Sequence, residues 1–188
     1  MNMCKIGNNY PNLDNGMLLR GRWTDKSFAL NQGRLGVLQK PDYDFTNRGL
    51  LFPQNDPSEY IQVLDQMDHA KQLGTPIHLH VHFIQATALI PVFKTAYKFW
   101  NNGDPVPAAD TIISTADSTG PVFPFTGTPI LQILPFLTIQ PPANEGLSAH
   151  LEFNLYRDDN VVVGDVLAKY VDYHYIKDSD GSRFEFTK

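Results

Sequence analysis

Over much of the chain beyond residue 60, apolar and polar positions alternate with a period of two. In "HLHVHF", Leu79, Val81 and Phe83 interleave with His78, His80 and His82. In "FKTAYKFW", Phe93, Thr95, Tyr97 and Phe99 form a largely aromatic face opposite Lys94, Ala96, Lys98 and Trp100. A β-strand sends successive side chains to opposite faces, so this period predicts strands over 77–86, 93–100 and 166–176. The runs "TIISTA", "PVFPF", "PILQILPFLTIQ" and "SAHLEFNLYR" are also strand-length, and Gly, Pro, Asp or Asn separates them. "EYIQVLDQMDHAKQLG" fits a helical spacing at Ile61, Leu64, Met67 and Asp68, but its first half also fits a strand, and we expect a strand running into a turn that ends at Gly74. "NNGD", from Asn101 to Asp104, is a turn, because Asn and Gly tolerate positive φ. "KDSDGSRFEF" reads as a turn and a short terminal strand. About eight strands and no long helix predict an all-β protein, an antiparallel β-sandwich or jelly roll.

Before residue 58 the pattern fades. "NNYPNLDNG", "KPDYDFTNRG" and "FPQNDPSE" are turn-forming clusters between short apolar pieces. Residues 1–57 therefore read as an extended N-terminal arm with a few short strands, and residues 58–188 as the sandwich domain. Trp23, Phe28, Leu35, Leu51 and Phe52 are too apolar to stay solvated, yet too irregularly spaced to form a core of their own. They are the expected interaction residues, through which the arm docks on the domain or on a neighbouring subunit.

Length and charge narrow the function classes. A chain of 188 residues fits one domain, and a formal charge of −5 with no basic run argues against binding to nucleic acid. Cys4 is the single cysteine, which excludes an internal disulfide and a cysteine-built zinc site. No uninterrupted run of about 18 apolar residues suggests a membrane span, and "MNMCKIGNNYPNLDNG" lacks the apolar region of a secretory signal, so synthesis in the cytosol is expected.

The candidate chemistry lies in the histidines. His78, His80 and His82 would share one face of their strand, and imidazoles two residues apart can converge on an ion if a neighbouring strand adds a ligand. Gly74, His80 and His82 resemble the first half of the cupin pattern, which would make the chain a metalloenzyme using His80 and His82. The carboxylate expected a few residues on is missing from Phe83, Ile84, Gln85, Ala86 and Thr87, and no second cupin motif follows. His150 and His174 remain as distant ligands. The chain is too short and too poor in helix for a hydrolase barrel, has no Gly-x-Ser-x-Gly elbow, and carries only a fragment of a calcium loop at Asp178, Asp180 and Glu185. The expectation is a structural histidine row with no metal, no cofactor and no catalytic residue.

Three segments also resemble a diffuse group of tailed-bacteriophage virion proteins. The matching positions are Gly74, Thr75, His80, His82 and Phe83; Tyr97, Asn102 and Gly103; and His174, Tyr175, Asp178, Gly181, Ser182, Glu185 and Lys188, with Phe83 standing where the group usually has tryptophan. The resemblance spans roughly residues 58–188. It implies a non-enzymatic virion structural protein, foremost a capsid decoration or cement protein, alternatively a neck, tail or fibre-attachment adaptor. It implies assembly in the host cytoplasm as a homo-oligomer, with a trimer favoured, on the major capsid protein or other virion proteins, and without nucleic-acid or membrane partners.

Overall fold

The computed structural model describes residues 22–30, 34–35, 40–118 and 123–178. Among these, eleven strands form two antiparallel sheets, and the only helical element with defined caps is a 3-10 turn at Thr115–Asp117. The strands are β1 (Arg22–Ala29), β2 (Arg34–Leu35), β3 (Asp42–Asp44), β4 (Gly49–Phe52), β5 (Tyr60–Gln66), β6 (His78–Gln85), β7 (Phe93–Trp100), β8 (Thr111–Ser114), β9 (Ile130–Pro135), β10 (His150–Arg157) and β11 (Val166–Lys177). One sheet runs β3-β4-β11-β6-β9, with β1 also paired to β11, and the other runs β2-β5-β10-β7-β8. The fold is thus an antiparallel all-β sandwich.

The alternation holds along β6 and β10, while β11 carries an irregularity between Ala168 and Tyr170. Leu79, Val81 and Phe83 of β6 and Leu151, Phe153 and Leu155 of β10 turn inward, while the alternate positions face out. Ring contacts fasten the sheets together: Phe52 and Phe83 both meet Phe93, at centroid distances of 5.8 and 6.0 Å, and Phe28 meets Phe153 at 6.2 Å. The ambiguous segment resolves as β5 followed by a turn, with Gly74 at a φ of 74° that favours glycine. "PVFPF" forms no strand in its described part, residues 123–125, and the strand expected in "SRFEF" lies outside the described residues, as do Cys4, Asp180 and Glu185.

The arm expected over residues 1–57 is woven into the sandwich. β1 lies along β11 from Arg22↔Lys177 to Ala29↔Tyr170, β2 pairs with β5, and β4 continues the β11 edge at Val166–Ala168. Leu30, Leu50 and Phe52 belong to the hydrophobic core. The boundary placed at residue 57 therefore coincides with no break in either sheet. Of the expected interaction residues, Phe52 is fully buried, Phe28 packs on the core, Leu51 is half-buried, and Trp23 is exposed. For Leu35 only the backbone pairing with Ile61 is described. Phe52 thus lies in the chain's own core and Phe28 packs against it.

Two buried cations pin the loops. Arg157 is wholly buried; its guanidinium bonds Asp159 and donates to the carbonyls of Phe52, Val162 and Gly164. Lys71, 1 % exposed, pairs with Glu145 at 2.8 Å and donates to the Thr75 carbonyl. Both satisfy the rule that a buried charge survives only when paired and hydrogen-bonded.

Candidate functional site

The histidine row of β6 lies on the outer face of its sheet, because the inner positions are taken by Leu79, Val81, Phe83 and Gln85. Antiparallel pairing sets β11 beside it in the register His78↔His174, His80↔Asp172 and His82↔Tyr170. On the far side of β11, β1 contributes Asp25 opposite His174 and Ser27 opposite Asp172. Directly opposed residues share a face, so three strands pool their polar side chains at one spot.

Asp172 is its centre. Only 7 % exposed, its Oδ1 accepts a hydrogen bond from His82 Nε2 at 2.9 Å and lies 3.7 Å from His80 Nδ1. Its Oδ2 lies 3.4 Å from His174 Nε2, and the other nitrogen of His174, Nδ1, sits 2.6 Å from Asp25 Oδ1. The His80 and His174 rings meet edge to face at 4.6 Å, and His82 stacks on Tyr170 at 3.9 Å. One ligand atom from each of His80, Asp172 and His174 falls within 4.8 Å of the others.

Electrostatics follow from this crowding. Burial alone would raise the Asp172 carboxyl, but the His82 hydrogen bond and the neighbouring imidazoles outweigh it and hold it below the usual carboxylate range. Burial, reinforced by His174, pushes His80 down despite the attraction of Asp172, and His78 shifts the same way for the same two reasons. An ionised carboxylate beside an imidazole that resists protonation, as at His80, suits the ligation of a cation.

The row continues into a surface cleft of about 510 Å³ lined by His78, His80, Asp117, Ser118, Phe123, Ile133 and neighbouring residues. His78 itself meets the edge of Trp23 at 5.1 Å and takes no part in the Asp172 contacts. Of the other histidines weighed from sequence, His174 joins the cluster, whereas His150 stacks on Trp100 on the opposite sheet. Reading along the chain missed Asp172 and Asp25. The carboxylate sought within a few residues of His82 arrives instead from the neighbouring strand, 90 residues away in sequence. No family model, curated protein or solved structure matches this chain.

Proposed function

We propose that the chain is a non-enzymatic structural protein of a bacteriophage virion, acting as a capsid decoration or cement protein. The observation that carries the proposal is the strand order. From β4 onward, β4-β11-β6-β9 faces β5-β10-β7-β8, and every step along the chain crosses between sheets except β7 to β8. That order reads as a jelly roll, an architecture of capsid proteins, lectins and cupins. Among these hosts, the cupin alternative loses support because the histidines point out of the sandwich, whose interior is filled by Phe52, Phe83, Phe93 and Phe153.

Assembly gains support at the edges. β8 and β9 end their sheets on the same side, and they expose Ile112, Leu131 and Ile133, close to the exposed Phe123 and Leu137. Strand edges that carry apolar side chains and are unpaired among the described residues invite another chain, and the N-terminal strands β1, β2 and β3 already bind by strand addition. A homo-oligomer seated on a shell would cover these surfaces. Quantitative mass spectrometry of purified particles from the encoding phage tests the proposal. A copy number comparable to that of the shell protein supports decoration, a few copies per particle moves the chain to the neck or tail, and absence from particles overturns the virion role.

A further inference from the structure

The contacts around Asp172 divide into two kinds. His82 Nε2, at 2.9 Å, is a hydrogen-bond donor to the carboxylate. His80 Nδ1 at 3.7 Å and His174 Nε2 at 3.4 Å are too distant to be good donors to it. Two ligand atoms on one tetrahedral zinc ion, each bound at about 2.0–2.2 Å, stand about 3.3–3.6 Å apart. The His174 spacing to Oδ2 falls in that range and the His80 spacing to Oδ1 lies just beyond it, so small side-chain rotations would bring both nitrogens and the carboxylate around one ion.

We propose that His80 Nδ1, the Asp172 carboxylate and His174 Nε2 bind one divalent transition-metal ion of the zinc class, with a fourth position open beside the cleft. Two imidazoles and a carboxylate suit zinc and its neighbours, whereas magnesium and calcium prefer oxygen alone. The supporting contacts are those of a metal centre. Asp25 takes the Nδ1 side of His174, which leaves Nε2 as the ligand lone pair, and His82 orients the carboxylate of Asp172. Because Asp25 lies on β1, His80 on β6 and the other two on β11, the ion would clamp the N-terminal strand to the sheet. This inference is independent of the virion proposal: it stands on the cluster alone.

The test uses untagged full-length protein, stripped with a chelator, dialysed and titrated with zinc sulfate by calorimetry, with elemental analysis after desalting. The expected result is one zinc per chain, a melting temperature raised by zinc, and loss of both in H80A and H174A. H78A, altered on the same face but outside the ligand set, retains both. D25N binds about 10–100-fold more weakly, the usual cost of removing a carboxylate behind a ligating histidine. D172N probes the carboxylate directly; should it fail to fold by circular dichroism, H80A and H174A decide, since their side chains are only partly buried. A wild-type protein that retains no zinc overturns the proposal. So does equal loss in H78A and H80A, which would mark loose chelation by surface histidines.

Discussion

Replacing Arg157 with methionine removes a cation that is wholly buried and keeps most of its volume. The guanidinium reaches Asp159 Oδ2 through Nε at 2.8 Å and Oδ1 through Nη2 at 3.2 Å. It also serves the carbonyls of Val162 and Gly164 in the loop after β10, and more weakly that of Phe52 in β4, at 3.4 Å. Methionine strands these carbonyls and leaves Asp159 a buried anion. The backbone amides of Val92, Val161 and Val162 still donate to that carboxylate, which softens the loss without replacing the charge. Breaking a buried pair from one side costs about 3–5 kcal/mol. At about 2–4 °C per kcal/mol for a domain of this size, the melting temperature should fall by about 6–20 °C. Urea unfolding at pH 7, followed by tyrosine fluorescence, should show a lower midpoint with an unchanged slope. R157K, which keeps the charge but not the planar fork, should fall between the two. A loss below about 1 kcal/mol in R157M, the worth of a surface pair, would refute the assignment of Arg157 as a structural keystone.

The same pair sets a pH dependence: burial would raise the Asp159 carboxyl, but Arg157 and the amides of Val92, Val162 and Val161 hold it below the ordinary range. Its contribution is then complete above the unfolded value of about 3.9 and is lost as pH falls through the lower folded value, so wild type should lose stability in that acid window more steeply than R157M. Tyr173 and Tyr175 are pushed up, first by burial and then by Asp65 and Asp68 respectively; in alkaline titration followed by ultraviolet absorbance, both should ionise only as the protein unfolds. Deleting residues 1–30 uncovers the β11 edge opposite Arg22–Ala29 and removes Phe28 and Leu30 from the core, so the truncated chain should melt lower than the full chain before any assembly is measured. An unchanged melting temperature would make β1 a detachable arm.

Much of the sandwich is legible because burial on one face enforces alternation. The aromatic set of β7 and the imidazoles of β6 can be assigned to faces from the letters alone. β1 is harder: Thr24, Lys26 and Phe28 face the core side, yet two of the three are polar, because Lys26 reaches Asp65 at the rim of the sandwich. No period marks such a strand as part of the sheet. β3 and β4, with three and four residues, are too short to show a period among the surrounding turn residues. The buried cations are equally silent, since Lys71 and Arg157 look like surface residues until Glu145 and Asp159 are placed beside them. The candidate site was half legible: the imidazoles share a face by spacing, whereas their carboxylate depends on which strand lies alongside and in what register.

That register turns on one irregularity. In β11, Val166 and Ala168 lie in the core, but beyond them the core residues are Val171, Tyr173 and Tyr175, so the alternation slips by one residue. The structure places a bulge there, with Ala168 opposite Phe83 and Tyr170 opposite His82. An extra residue in one strand reverses which face every later side chain takes. Lys169, the residue between, sends its amine outward to the carbonyl of Arg48 at 2.9 Å. Nearby, Gly49 runs so close to β11 that a Cβ would stand 2.5 Å from the Ala168 carbonyl oxygen, so a side chain at this position would force the strands apart. Without the bulge, Asp172 and His174 would point into the core and Tyr173 out of it. The core thus dictates the outer face: burying Val171, Tyr173 and Tyr175 turns Tyr170, Asp172 and His174 to the opposite side of the sheet, beside the β6 histidines. Because core packing holds that register, the ligand atoms are placed before any ion arrives, and binding need not reorganise the strands that carry them.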